Sequence, residues 1–136
     1  MSCVLCSSDG GHVVLRTDKF RIVRVEGEEA ARFPGFYRLI WSAHVAEFSD
    51  LGREDRLLCM DAVAALEAGL RQQLQPTKIN LASLGNVVPH LHWHVIPRWA
   101  DDSHFPAPIW AAAARSVPSR PLDLAVLDAA VAAALG

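Results

Sequence analysis

The chain has 136 residues, 51% of them hydrophobic and 21% charged, and a net charge of −2 from Lys+Arg 13 against Asp+Glu 15. That is one domain's worth of chain with enough apolar content to bury a core, which excludes a disordered tail. The near balance of charge excludes a polybasic binder of nucleic acid or membranes.

The first elements read as short strands. Residues 12–16 and 20–25 carry Val13, Val14, Leu15, Phe20, Ile22, Val23 and Val25, with Thr17-Asp18-Lys19 as the turn between them. Residues 27–34 are polar and end in a Pro34-Gly35 turn. Residues 36–41 form a third strand, with Ser42-Ala43-His44 at its end.

A long helix is expected next, entered at residues 50–52 with Asp50 as its cap and running to about Gln75. Cys59, Val63, Leu66, Leu70 and Leu74 recur at helical spacing and make one buried stripe, in which Cys59 is a core thiol. Pro76 ends the helix. Residues 78–83 and 91–98 are two further strands around a Gly85-Asn86 turn. Strands, one long helix, then strands is the order of an α+β fold with an antiparallel sheet.

Residues 100–121 hold four prolines and little periodicity, which predicts a loop that is functional or packed against something. Leu124, Leu127, Val131 and Leu135 then mark an amphipathic C-terminal helix with Pro121 in its first turn. The N-terminus has no cationic region followed by an apolar run, so no signal peptide is expected. Three cysteines are too few for a disulfide scaffold. Together these predict a cytoplasmic chain without a membrane partner.

Six histidines are present, and His90, His92 and His94 fall within five positions. Side chains alternate faces along a strand, so the three imidazoles share one face while Leu91, Trp93 and Val95 enter the core. A strand face that merely meets solvent is served as well by Thr, Lys or Glu. Two chemistries fit better. Three imidazoles can hold a metal. They can also bind a phosphate and supply a nucleophile, because a neutral imidazole nitrogen attacks phosphorus and divides one hard step into two.

The stretch Pro89-His90-Leu91-His92-Trp93-His94-Val95-Ile96-Pro97-Arg98 resembles the signature of the histidine triad (HIT) family. Asn80-Leu-Ala-Ser-Leu-Gly-Asn86, Leu39-Ile-Trp-Ser-Ala-His44 and His104-Phe-Pro-Ala-Pro-Ile-Trp110 are similar to that family's flanking segments, the last to a bacterial branch. The resemblance implies a HIT-like α+β fold, an antiparallel sheet of about five strands with one long helix and a C-terminal helix. It divides the chain into a HIT domain at 1–110 and a C-terminal extension at 111–136.

The resemblance also implies an enzyme, a nucleotidyl hydrolase or transferase acting on dinucleoside polyphosphates or nucleoside phosphoramidates. His92 would be the nucleophile that forms a nucleotidyl-histidine intermediate. His94 would touch the phosphate oxygens and help the leaving group, and His90 would support the site. Asn80, Gly85 and Asn86 would contact phosphate. Members often carry Ser or Thr where Val87 and Val88 stand here, so a hydroxyl contact is absent or comes from Ser83. That departure supports the alternative, a nucleotide-binding or sensing module with little turnover. A third class is a metalloenzyme with an open site on His90, His92 and His94.

Cys3-x-x-Cys6 has zinc-ligand spacing. In some relatives of this kind a structural zinc is held by such a pair, the histidine after the third strand and the first triad histidine. Those positions are Cys3, Cys6, His44 and His90 here. No cofactor is expected for the chemistry itself, although a divalent cation can arrive with the substrate. The implied partners are a small nucleotide and a second copy of the chain in a homodimer, with no polynucleotide. Trp93 is expected in the core, and Trp41, Trp99 and Trp110 at an interface or against a base. Arg98, His12 and His104 are expected at the surface.

Overall fold

The computed structural model describes residues 2–136. The elements in chain order are α1 (Val4–Ser7), β1 (His12–Arg16), β2 (Phe20–Arg24), α2 (Glu28–Arg32), β3 (Tyr37–Trp41), a 3-10 turn (Phe48–Asp50), α3 (Arg53–Leu74), β4 (Lys78–Ala82), β5 (His92–Arg98) and α4 (Leu124–Leu135). The five strands form one antiparallel sheet in the order β1-β2-β3-β5-β4. The α+β expectation holds.

Period-two alternation splits the sheet into two faces. Tyr37, Leu39, Trp41, Ile79 and Val95 face α3 and meet Cys59, Val63, Leu66 and Leu70 in the main core. Each fully buried Leu there stabilises by about 1.5–3 kcal/mol. The C-terminal helix α4 adds Leu127 and Val131 to the same core. The opposite face carries Arg38 and Ile40 of β3, in register with His94 and His92 of β5. Asn80 and Ala82 of β4 continue that face opposite Ile96 and His94.

Several expectations need correction. Asp50 does not cap the long helix. Its carboxylate accepts from the Glu47 N–H at 2.9 Å and closes the 3-10 turn, and Gly52 is the residue before α3. The helix ends at Leu74, where Gln75 turns left-handed with φ 49° ahead of Pro76. The polar segment after Val25 contains a short helix, α2, with Glu28 and Glu29 at its N-terminal end. Pro121 lies outside α4, which starts at Leu124 because Asp123 accepts from the Val126 N–H at 3.2 Å. Trp41 is a core residue rather than one at an interface or against a base.

Arg98 is not at the surface. It is 1% exposed and is the hub of a buried polar network. Its Nε and Nη2 donate to Asp102 at 2.8 and 3.0 Å, its Nη1 to Asn80 Oδ1 at 2.8 Å, and its Nη2 also to the Ala107 carbonyl at 2.9 Å. Asp102 further accepts from the N–H groups of His104 and Phe105. The long proline-bearing segment is therefore strapped to the end of β5. His104 is buried at 4% exposure, bonded to Ser103 and edge-on to Phe33, whereas His12 is exposed as expected. No helix among the described residues is long and apolar enough to cross a membrane.

Candidate active site and metal cluster

β5 begins at His92, one residue after the expected start, so only His92 and His94 project from it as strand residues. They share a face and their rings lie 5.0 Å apart, edge to face. Both line a cavity of about 530 Å³ whose wall includes Arg38, Gly85, Asn86, Val88 and Trp110. Gly85 has φ +71°, a left-handed turn that a side chain disfavours, and this turn brings the 84–88 loop over the histidines. Trp110 is 46% exposed and its ring stands edge to face with His94, centroids 5.1 Å apart.

The hydrogen-bond partners define the protons on each imidazole. His92 Nδ1 lies 2.6 Å from the His90 carbonyl oxygen. A carbonyl only accepts, so Nδ1 carries the proton and Nε2 keeps its lone pair. Burial lowers the His92 pKa most, against the bond to the His90 carbonyl, which raises it. His94 accepts at Nδ1 from Arg38 Nε at 3.3 Å. Burial first, then the Arg38 and His92 charges, push its pKa down to about 3, so it is neutral at physiological pH.

His90 turns elsewhere. Its Nε2–H donates to the Trp41 carbonyl at 2.6 Å, which leaves the Nδ1 lone pair facing a cluster of Cys3, Cys6 and His44. His90 Nδ1 is 3.4 Å from Cys3 Sγ, 3.5 Å from Cys6 Sγ and 3.2 Å from His44 Nδ1, and Cys6 Sγ is 3.4 Å from His44 Nδ1. All four donor atoms lie within 4.8 Å of one another. Tetrahedral ligands at zinc bond lengths sit about 3.3–3.8 Å apart, so the set fits zinc. The N-terminal segment is held in place by Arg21 of β2, which donates to the carbonyls of Leu5, Ser8 and Asp9.

The expected residues thus fall into three places. His92, His94, Gly85 and Asn86 share the cavity. Cys3, Cys6, His44 and His90 share the candidate metal cluster. Asn80 is outside both, spent on Arg98 and lining a neighbouring cleft beyond Trp110. Val87 is 92% exposed and Val88 packs with Leu5 and Ile40, so neither offers a polar contact. Sequence reasoning missed Arg38. The available signal was a cation inside the otherwise apolar strand Tyr37-Arg38-Leu39-Ile40-Trp41.

A family model described as HIT domain matches residues 9–101. The fold is similar to that of a histidine triad protein from Bradyrhizobium japonicum, at 19% identity and a TM-score of 0.77, covering 94% of this chain and 92% of that one. A histidine triad protein from Sinorhizobium meliloti is 24% identical with a TM-score of 0.73, covering 90% and 88% of the two chains. A Zn-bound histidine triad family protein from Mycobacterium smegmatis is 21% identical with a TM-score of 0.66, covering 99% and 94%. No curated protein matches the sequence.

Proposed function

This chain belongs to the HIT-domain family, and on that premise we propose that it is a nucleotidyl hydrolase or transferase working through a nucleotidyl-His92 intermediate. The observation that carries this reading is the 2.6 Å bond from His92 Nδ1 to the His90 carbonyl, which leaves Nε2 as a free lone pair on a cavity-lining imidazole. The substrates are dinucleoside polyphosphates or nucleoside phosphoramidates.

In the first step the His92 Nε2 lone pair forms a bond to phosphorus. The bond from phosphorus to the leaving oxygen or nitrogen breaks, its electron pair stays on the leaving atom, and a leaving nitrogen takes a proton from solvent. Water then forms the new phosphorus–oxygen bond and gives one proton to solvent, while the phosphorus–Nε2 bond breaks and its electron pair stays on Nε2. His94 supplies a hydrogen bond to the oxygens that gather charge as phosphorus becomes five-coordinate. Gly85 and Asn86 bring backbone and amide groups to the same cavity. Asn80 acts indirectly, through Arg98 and the strap that carries Trp110.

Cys3, Cys6, His44 and His90 would hold a zinc ion, a reading supported by the fit of their donor atoms and by the Zn-bound relative. Four protein ligands close such a site, so the ion would supply structural anchoring. A homodimer belongs to this reading, with β4 as one edge of the sheet and Leu81 exposed on it. Light scattering at micromolar concentration checks that state.

The deciding experiment mixes the protein with an adenosine phosphoramidate, quenches in base and weighs the intact chain. An added nucleotidyl mass on the wild type, absent in His92→Ala, supports the reading. Tight nucleotide binding without any adduct replaces it with a binding module, the alternative that Val87 and Val88 favour.

A further inference from the structure

Arg38 pairs with His94 across the β3–β5 register and so stands on the same sheet face. Its strand neighbours Tyr37, Leu39, Ile40 and Trp41 are buried in the core clusters. The Arg38 side chain is only 23% exposed, and withdrawing a guanidinium this far from water costs free energy unless its bonds return it. Two bonds are made. Nη2 reaches Glu29 at 3.4 Å, and Nε reaches His94 Nδ1 at 3.3 Å.

The second bond has a chemical consequence. A guanidinium has five donors and no acceptor. His94 Nδ1 must therefore accept, and the single ring proton of His94 resides on Nε2. His92 is bonded to a carbonyl, which only accepts, and carries its proton on Nδ1. Two imidazoles 5.0 Å apart are thus held in opposite tautomers. One presents an Nε2 lone pair and the other an Nε2–H, both on residues lining one cavity.

We propose that Arg38 is a positioning residue that locks His94 as an Nε2–H donor beside the nucleophile, for the phosphoryl or leaving-group oxygen. This role rests on the nucleotidyl-transfer reading. His94 lends a hydrogen bond and keeps its proton, so the same ring serves every turnover without resetting. Arg38 takes up the task of fixing the donor in a site where Val87 and Val88 can offer no hydroxyl.

The test compares wild type, Arg38→Met and Arg38→Lys, each labelled with ¹⁵N-histidine. In the wild type, His94 Nδ1 gives a pyridine-type signal and Nε2 a pyrrole-type signal. In Arg38→Met the two signals move toward each other, and kcat falls by roughly tenfold to a hundredfold while KM stays within about twofold. Arg38→Lys keeps a donor for Nδ1 and restores the wild-type His94 signals together with part of kcat. The dispersion of the remaining histidine signals reports that each variant is folded, and Arg38→Leu, which also lacks a donor, replaces Arg38→Met should the latter fail. Unchanged His94 signals on loss of Arg38 overturn the proposal, as does a kcat loss that is equal in the Lys and Met variants. An absent nucleotidyl adduct in the wild type sinks the transfer reading instead, and the nitrogen signals still decide whether Arg38 sets the tautomer.

Discussion

The carbonyl oxygen of His90 accepts the Nδ1 proton of His92 at 2.6 Å, while the His90 ring turns its own Nδ1 toward Cys3, Cys6 and His44. One residue therefore joins the candidate metal cluster to His92. The cluster holds the ring, the ring fixes the local backbone, and the backbone carbonyl selects the His92 tautomer. Metal removal is expected to act at both ends. Zinc stripped by a strong chelator should lower the Tm by about 10 °C or more. Turnover should fall with it and return when zinc is restored. Elemental analysis alongside calorimetry checks this; a chain purified without chelator that holds no zinc, with a Tm indifferent to added zinc, removes the site.

His92→Asn tests the nucleophile with little change in volume. The variant is expected to lose turnover by roughly 10³-fold or more, because no neighbouring group replaces the Nε2 lone pair. Nucleotide affinity should stay within about threefold, since the cavity wall is otherwise intact. Isothermal titration with a nucleoside monophosphate measures the affinity. A variant that retains substantial turnover shifts the chemistry away from His92.

The Arg98–Asp102 pair makes a prediction about acid. Burial raises the Asp102 pKa, but the Arg98 bonds and the His104 and Phe105 N–H groups outweigh it and bring the carboxyl down to about 2. The folded value lies below the ordinary one of about 3.9, so the unfolded chain binds more protons between the two. This contribution is complete above the ordinary carboxylate range and is lost as pH falls through about 2. Asp102→Asn should lower the Tm at pH 7, and the gap to wild type should shrink between about pH 4 and pH 2. A gap that stays constant over that range argues that Asp102 is not the group responsible.

Much of this arrangement was legible in residue order. Period two put His92 and His94 on one face, and period 3.6 put Cys59, Val63, Leu66 and Leu70 on another. The Cys3-x-x-Cys6 spacing and His44 converged as the resemblance implied. What stayed hidden depends on partners distant in sequence. Arg98 is a cation beyond a strand until Asp102, Asn80 and the Ala107 carbonyl surround it. The same network takes Asn80 out of the cavity. Arg38 acquires a role only once the β3–β5 register sets it opposite His94. His90 looks like the third member of a strand face, yet its neighbours in space are a thiol pair and a carbonyl.

The last helix offers a separable test of stability. Gly69 of α3 is where a Cβ would stand 2.9 Å from the Ala134 Cβ, so α3 and α4 approach at a small-residue contact. Elsewhere on α4, Asp128 accepts from Arg24 Nε at 3.0 Å and from the Tyr37 hydroxyl, which ties the helix to β2 and β3. Burial and the Asp128 bond raise the Tyr37 pKa, so the phenol stays protonated and remains a donor. Asp128→Ala leaves the Arg24 charge partly buried without its partner, a loss of about 2–3 kcal/mol or a Tm fall of about 6–10 °C. Removing both charges in Arg24→Met/Asp128→Leu should recover most of that, because neither side is then left uncompensated. Turnover per folded molecule should be unchanged in both, since α4 adds no residue to the cavity of His92 and His94. Thermal melts paired with active-site-titrated kinetics check it. A double variant as unstable as the single one means that the hydrogen bond to Tyr37, rather than the ion pair, holds α4 in place.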